Sequence, residues 1–112
     1  MNNYTTADNW VVLKIINNEE NENVVYKVLA SWRGSYPYGA SWRLNSGITE
    51  VKTDSDGNFY FYGSSGSCYK CHKNNYQLTT ISDGVYSTLK ERFGDKIELM
   101  PEDTDWLHLY DE

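Results

Sequence analysis

Hydrophobic positions along the chain change period once, from strand-like alternation to a helical stripe near residue 80. The run NWVVLKII, Asn9 to Ile16, is rich in β-branched residues and apolar on both alternating faces, which predicts an inner strand. Val24 to Trp32, VVYKVLASW, predicts a second strand. Val24, Tyr26, Val28, Ala30 and Trp32 share one face of it, with Lys27 and Ser31 on the other. The NNEENEN stretch between the two is a polar loop, so they read as a hairpin. RGSYPYGA, Arg33 to Ala40, is rich in turn residues. Ser31-Trp32-Arg33 recurs as Ser41-Trp42-Arg43, a repeat too short for a solenoid, and reads as two strand ends bracketing that loop. From Ser41 to Asn45, Trp42 and Leu44 fall on one face. Ser46-Gly47 marks a bulge or bend, and Ile48 to Thr53 continues as strand.

Asp54-Ser55-Asp56-Gly57 between two β-type runs predicts a tight hairpin turn. In the following NFYFY, Phe59 and Phe61 should face the core and Tyr60 and Tyr62 should be half exposed. Gly63 to Ser67 reads as a loop, Cys68 to His72 as a strand, and Asn74 to Thr80 as irregular. The helical period then appears: Val85, Leu89 and Phe93 recur every four residues, with Tyr86 and Ile81 near the same stripe. Ser82 as N-cap, Asp83 in the first turn, Lys90 and Arg92 in the last and Gly94 at C′ bound a helix over about Ser82 to Phe93. Lys96 to Met100 reads as a short final strand ended by Pro101, and Trp106, Leu107 and Leu109 could tuck part of the tail back onto the body. Strands first and one helix late predict an α+β fold: an antiparallel sheet of about five or six strands with a single amphipathic helix packed on one face.

With 112 residues, the chain fits one small domain, 1–112, with an acidic C-terminal segment, 101–112. Aromatic residues at 15% argue against a disordered chain. No apolar run is long enough for a membrane helix, and Met1 to Thr6 has neither the basic start nor the apolar stretch of a signal peptide. The expectation is a soluble, cytoplasmic protein.

Charge sharpens this picture. The formal net charge is −6. From Glu98 onward, Glu98, Glu102, Asp103, Asp105, Asp111 and Glu112 meet no Lys or Arg, while the rest of the chain is balanced. Clustered basic residues that hold phosphate are missing, so nucleic acid is not an expected partner. The acidic segment reads as a solvated tail that aids solubility, or as a surface that docks on a basic partner through Glu102, Asp103 and Asp105.

Cys68-Tyr69-Lys70-Cys71-His72 has the spacing of a c-type haem attachment site, yet it sits in a strand and lacks a good distal ligand. Cys68, Cys71, His72 and His108 could make up a Cys2His2 zinc set by count alone. There is no second Cys-x-x-Cys, and adjacent Cys71 and His72 point apart in an extended chain. A redox dithiol needs a helix N-terminus nearby, and the predicted helix starts about ten residues later. The pair therefore reads as two reduced thiols in a strand, one facing inward, and neither metal nor cofactor is expected. A calcium loop at Asp54 fails because position 63 is Gly where a Glu is needed. The Gly/Ser loop at 63–67 is followed by a strand, not by the helix that a phosphate cradle uses.

Catalytic patterns are also lacking: Gly-x-Ser-x-Gly, Walker and Rossmann motifs are absent, and the carboxylates of the tail and of the Asp54–Asp56 turn look solvated, where a pKa is not tuned. The expectation is not an enzyme. Trp32, Arg33, Tyr36, Tyr38, Trp42 and Arg43 crowd around one loop, and these residue types are enriched at binding hot spots. They could equally be a core tryptophan pair rimmed by tyrosines, or a platform for stacking a base or sugar.

The strings DNWVVLKI, YKVLASW, SWRLNSGI, FYGSSGSCYKCHK and KIELMPEDTDW, between Asp8 and Trp106, resemble small proteins encoded by large tailed bacteriophages. That group has no established function and lends no site residues. The resemblance implies an accessory protein made in a bacterial cytoplasm. The expected function is non-catalytic binding of a host protein, of the host-takeover or inhibitor type. Alternatives are a small-molecule domain binding a nucleotide or sugar at the aromatic loop, and a virion-associated structural protein.

Overall fold

A computed structural model of the chain describes residues 4–16, 24–32 and 42–109. Eight strands and one α-helix follow in order: β1 (Thr5–Thr6), β2 (Asn9–Ile16), β3 (Val24–Ser31), β4 (Trp42–Leu44), β5 (Ile48–Thr53), β6 (Asn58–Gly63), β7 (Cys68–His72), α1 (Thr80–Phe93) and β8 (Ile97–Leu99). The class is α+β with one α-helix packed on a sheet, as the order of periodicities predicts. The strands divide between two four-stranded sheets, where the sequence reading pooled five or six of them into one. The first sheet runs β1-β7-β6-β5 and the second β4-β3-β2-β8. All pairings are antiparallel except β1 with β7.

The crossing between sheets is local. Asn45 extends the second sheet: its N–H donates to Val28 O at 3.0 Å, and its Oδ1 accepts from Val28 N at 2.8 Å. The chain then bends through Ser46 to Gly47, whose φ of 134° suits glycine, and enters β5 of the first sheet. The Ser46-Gly47 bend read from sequence is thus the passage between layers.

The second sheet is the middle layer, and its β2 pattern explains why. Trp10 and Val12 face the first sheet and join Tyr26, Val28, Ala30, Ile48, Phe61, Tyr69, Cys71 and Trp106 in one core. Val11, Leu13 and Ile15 face the other way, with Leu29 and Ile97, against Val85, Tyr86 and Leu89 of α1. Both faces of β2 are therefore covered, which is what an uninterrupted apolar strand requires.

Two helix expectations are corrected. The N-cap is Thr79, not Ser82. Thr79 Oγ1 accepts from Ser82 N, and Ser82 Oγ accepts from Thr79 N at 2.7 Å, so Ser82 is the N3 member of a capping box. The helix accordingly starts two residues earlier than predicted. Ile81 and Phe93 lie at the exposed edges of the stripe, 42% and 38% accessible, because only the middle of α1 lies over the sheet. No helix among the described residues is long and apolar enough to cross a membrane.

Candidate functional site

Two clefts concentrate the chemistry. The larger, about 580 Å³, opens where the 3-10 turn Lys73–Asn75 faces the C-terminal segment. Its floor is aromatic. Trp10 and Trp106 are nearly buried, with ring centres 5.4 Å apart, and Phe59 lies half-buried 6.3 Å from Trp10. The Trp10 indole N–H donates to His72 O at 2.7 Å, which fixes the ring under the turn. Lys73 and Asn74 form one wall, and Glu102, Asp103 and Thr104 form the other.

Local order sets both walls. In the β5–β6 turn, Asp54 Oδ1 accepts from the Asp56 and Asn58 amides, while Oδ2 accepts from the Tyr60 hydroxyl and the Asn58 side chain. The Asn58 amide leads this set in holding the Asp54 carboxyl down at about 2, against its ordinary 3.8. The sequence expectation of an untuned carboxylate is corrected at Asp54, which stays solvent-accessible yet is held by these donors. The turn also grips the next element. Gly57 O accepts from Lys73 N at 2.9 Å, and Asp56 O accepts from His72 Nε2 at 3.1 Å. Asn74 N donates to His72 Nδ1, so the ring proton belongs on Nε2.

The opposite wall hangs from β8. Met100 N donates to Val12 O, and the Tyr76 hydroxyl donates to Met100 O while accepting from Val12 N. Burial pushes the Tyr76 phenol up to about 12. Thr104 turns back on Pro101 O through both its amide and its hydroxyl, and Trp106 then plugs the core. The tail does tuck back through Trp106 and, partly, Leu109; Leu107 instead stays 46% exposed.

The second cleft, about 410 Å³, lies at the seam between the sheets and is lined by Arg43, Tyr4, Thr5, Gly66, Ser67 and Cys68, among others.

The sequence-predicted site residues separate accordingly. Glu102 and Asp103 line the first cleft. Asp105 stands outside it, accepting from His108 Nδ1 at 2.8 Å. Arg43 lines the second cleft. Trp32 is half-buried against the core with its indole N–H on Thr6 O at 2.7 Å, whereas Trp42 is 40% exposed, so the two are not a core pair. Arg33, Tyr36 and Tyr38 lie outside the described residues. Lys73 and Asn74 were not singled out from the sequence, and Phe59 was read only as a core-facing strand residue; the Asp-Gly turn that grips Lys73 was the available signal.

The Cys-x-x-Cys thiols diverge. Cys71 points into the core between the sheets, and Cys68 lies on the other face of β7; burial raises both thiol pKa values, that of Cys71 well above normal. Side chains three residues apart on a strand leave their Cα atoms roughly 10 Å apart, beyond disulfide reach. His108 is engaged by Asp105, and no group of three His, Cys, Asp or Glu side chains fit for a metal occurs among the described residues.

No protein-family model, no curated protein and no solved structure matches the chain.

Proposed function

We propose that this protein is a non-catalytic binding module that engages a partner protein through the aromatic-floored cleft. In this reading the cleft receives a basic side chain of the partner. The observation that carries it is the pairing of Glu102 and Asp103, both exposed, with an apolar floor that includes the half-buried Phe59. An Arg or Lys stem lies well against such a floor while its head meets carboxylates at the rim. Lys73 on the facing wall favours a partner that also presents an acid. The cleft's hydroxyl, on Thr104, is spent on Pro101 O, and no nucleophile–base pair lines the cleft among the described residues. The resemblance to phage proteins makes a host protein in the bacterial cytoplasm the proposed partner.

The test is capture from bacterial lysate by tagged wild type beside the E102Q/D103N variant, with titration of the purified partner. One stoichiometric partner, bound at least tenfold more weakly by the variant, is expected. Equal binding by both proteins, or no partner at all, overturns the reading.

A further inference from the structure

The second cleft has a chemistry opposite to that of the chain as a whole. Arg43 is paired across the β3–β4 ladder with Ala30, so both side chains leave the sheet on the same face. Ala30 belongs to the core between the sheets. Arg43 therefore extends from an edge strand into the seam, where β1 and the 63–67 turn of the first sheet come to meet it. Arg43 is exposed and makes no ion pair or hydrogen bond among the described residues. Among the described residues no carboxylate lines this cleft, although the protein carries a net charge of −6.

What does line it is rich in donors. The hydroxyl-bearing residues Thr5, Ser67 and Tyr69 line it together with Arg43. Behind the wall, a Cβ on Gly63 would lie 2.8 Å from Ser67 Oγ and 3.4 Å from Asn45 Nδ2. Asn45 is 2% exposed, and its Nδ2 is buried without a hydrogen-bond partner. Gly66, at φ 92°, carries no side chain and has nothing within 4 Å of where one would stand, so the mouth is open.

From this placement we infer that the Arg43 cleft binds the phosphate group of a small phosphomonoester. A guanidinium presents a planar fork of donors that matches phosphate oxygens bidentately, and hydroxyls complete the shell. A phosphomonoester keeps more free acceptor sites after a bidentate contact than a carboxylate does, so it makes fuller use of the Thr5, Ser67 and Tyr69 hydroxyls. The inference does not rest on the partner-binding cleft, which is lined by other residues.

Titration of 15N-labelled protein with sodium phosphate, AMP and adenosine at matched ionic strength tests it. Phosphate and AMP should move the Arg43, Gly66 and Ser67 amides saturably, with midpoints on the order of 1 mM for a single phosphate contact. Adenosine should leave them in place. An AMP midpoint tenfold or more below that of phosphate identifies a nucleotide as the source; equal midpoints identify the bare phosphate group. R43Q, at an exposed position with no partner to lose, should fold normally and bind at least tenfold more weakly, with R43K in between. Shifts scattered over the surface, an equal response in R43Q, or no response to either phosphate probe would overturn the proposal. The last would leave Arg43 as a charge that guards an edge strand against pairing.

Discussion

The Tyr60 hydroxyl donates to Asp54 Oδ2 at 2.9 Å across the β5–β6 turn, and each group moves the other's titration. Asp54 is held down at about 2, with the Asn58 amide the largest cause, and Tyr60 is pushed up to about 12, chiefly by Asp54. The signs follow from linkage. A carboxyl whose folded pKa lies below its unfolded 3.8 contributes stability that is complete above that value and lost as pH falls from about 4 to 2. A phenol raised from 10 contributes below pH 10 and loses its share between about 10 and 12. Both groups are solvent-accessible, so the effect should appear as local opening of the turn. The Asp56 and Asn58 amide resonances should shift with a midpoint near pH 2 in wild type, and D54N should lose that transition. A wild-type midpoint near pH 4 would show that the carboxylate is not held by these donors.

The helix start offers a sharper stability test than its stripe. Thr79→Ala removes the side chain that accepts from Ser82 N and should cost about 1 kcal/mol in urea unfolding. Phe93→Ala, which the four-residue spacing would rank as a core truncation, should cost no more than about 0.5 kcal/mol, because Phe93 is 38% exposed. The reverse order would return Phe93 to the apolar stripe.

These two positions show what could be read from the chain and what could not. NWVVLKII announced a strand covered on both faces because burial of a strand writes directly onto alternation. The Asp-Gly turn was equally plain, since Gly57 sits at φ 88°. The division into two sheets was not legible: Ser46-Gly47 signals a bend, but not that the bend carries the chain from one layer to another. Nor was the rotation of Arg43 into the seam, which depends on its register with Ala30 rather than on any neighbour in sequence. The aromatic cluster read around residues 32–43 grouped residues by sequence proximity. The first cleft instead joins Phe59, Lys73 and Glu102, whose meeting is set by tertiary packing.

The two thiols should differ in reactivity although both are buried. Cys71 is fully enclosed in the core between the sheets, whereas Cys68 is 7% accessible and lies beside the second cleft. A thiol reagent needs the thiolate and a path to it, and burial opposes both at Cys71. Native protein should therefore react first at Cys68, with Cys71 labelled only at the rate of unfolding. Mass spectrometry of partly modified protein reads this directly. Equal labelling of the two would mean that β7 opens in the native state.

Trp106 ties the C-terminal segment to the rest of the molecule, and its removal should separate stability from function. Its ring lies 5.4 Å from Trp10, 5.5 Å from Tyr76 and 6.1 Å from Phe61, and it is 4% exposed. Trp106→Ala leaves a cavity in the core and should cost about 3–5 kcal/mol in urea unfolding. Leu107→Ala, next in sequence but 46% exposed, should fall within about 0.5 kcal/mol of wild type. The docked Trp106 ring is one anchor of the segment whose Glu102 and Asp103 form the cleft wall. Under conditions where W106A remains folded, it should therefore bind the captured partner more weakly with every tail carboxylate still present. Partner binding unchanged in W106A would mean that the acids act as a free charged tail rather than as the wall of a cleft.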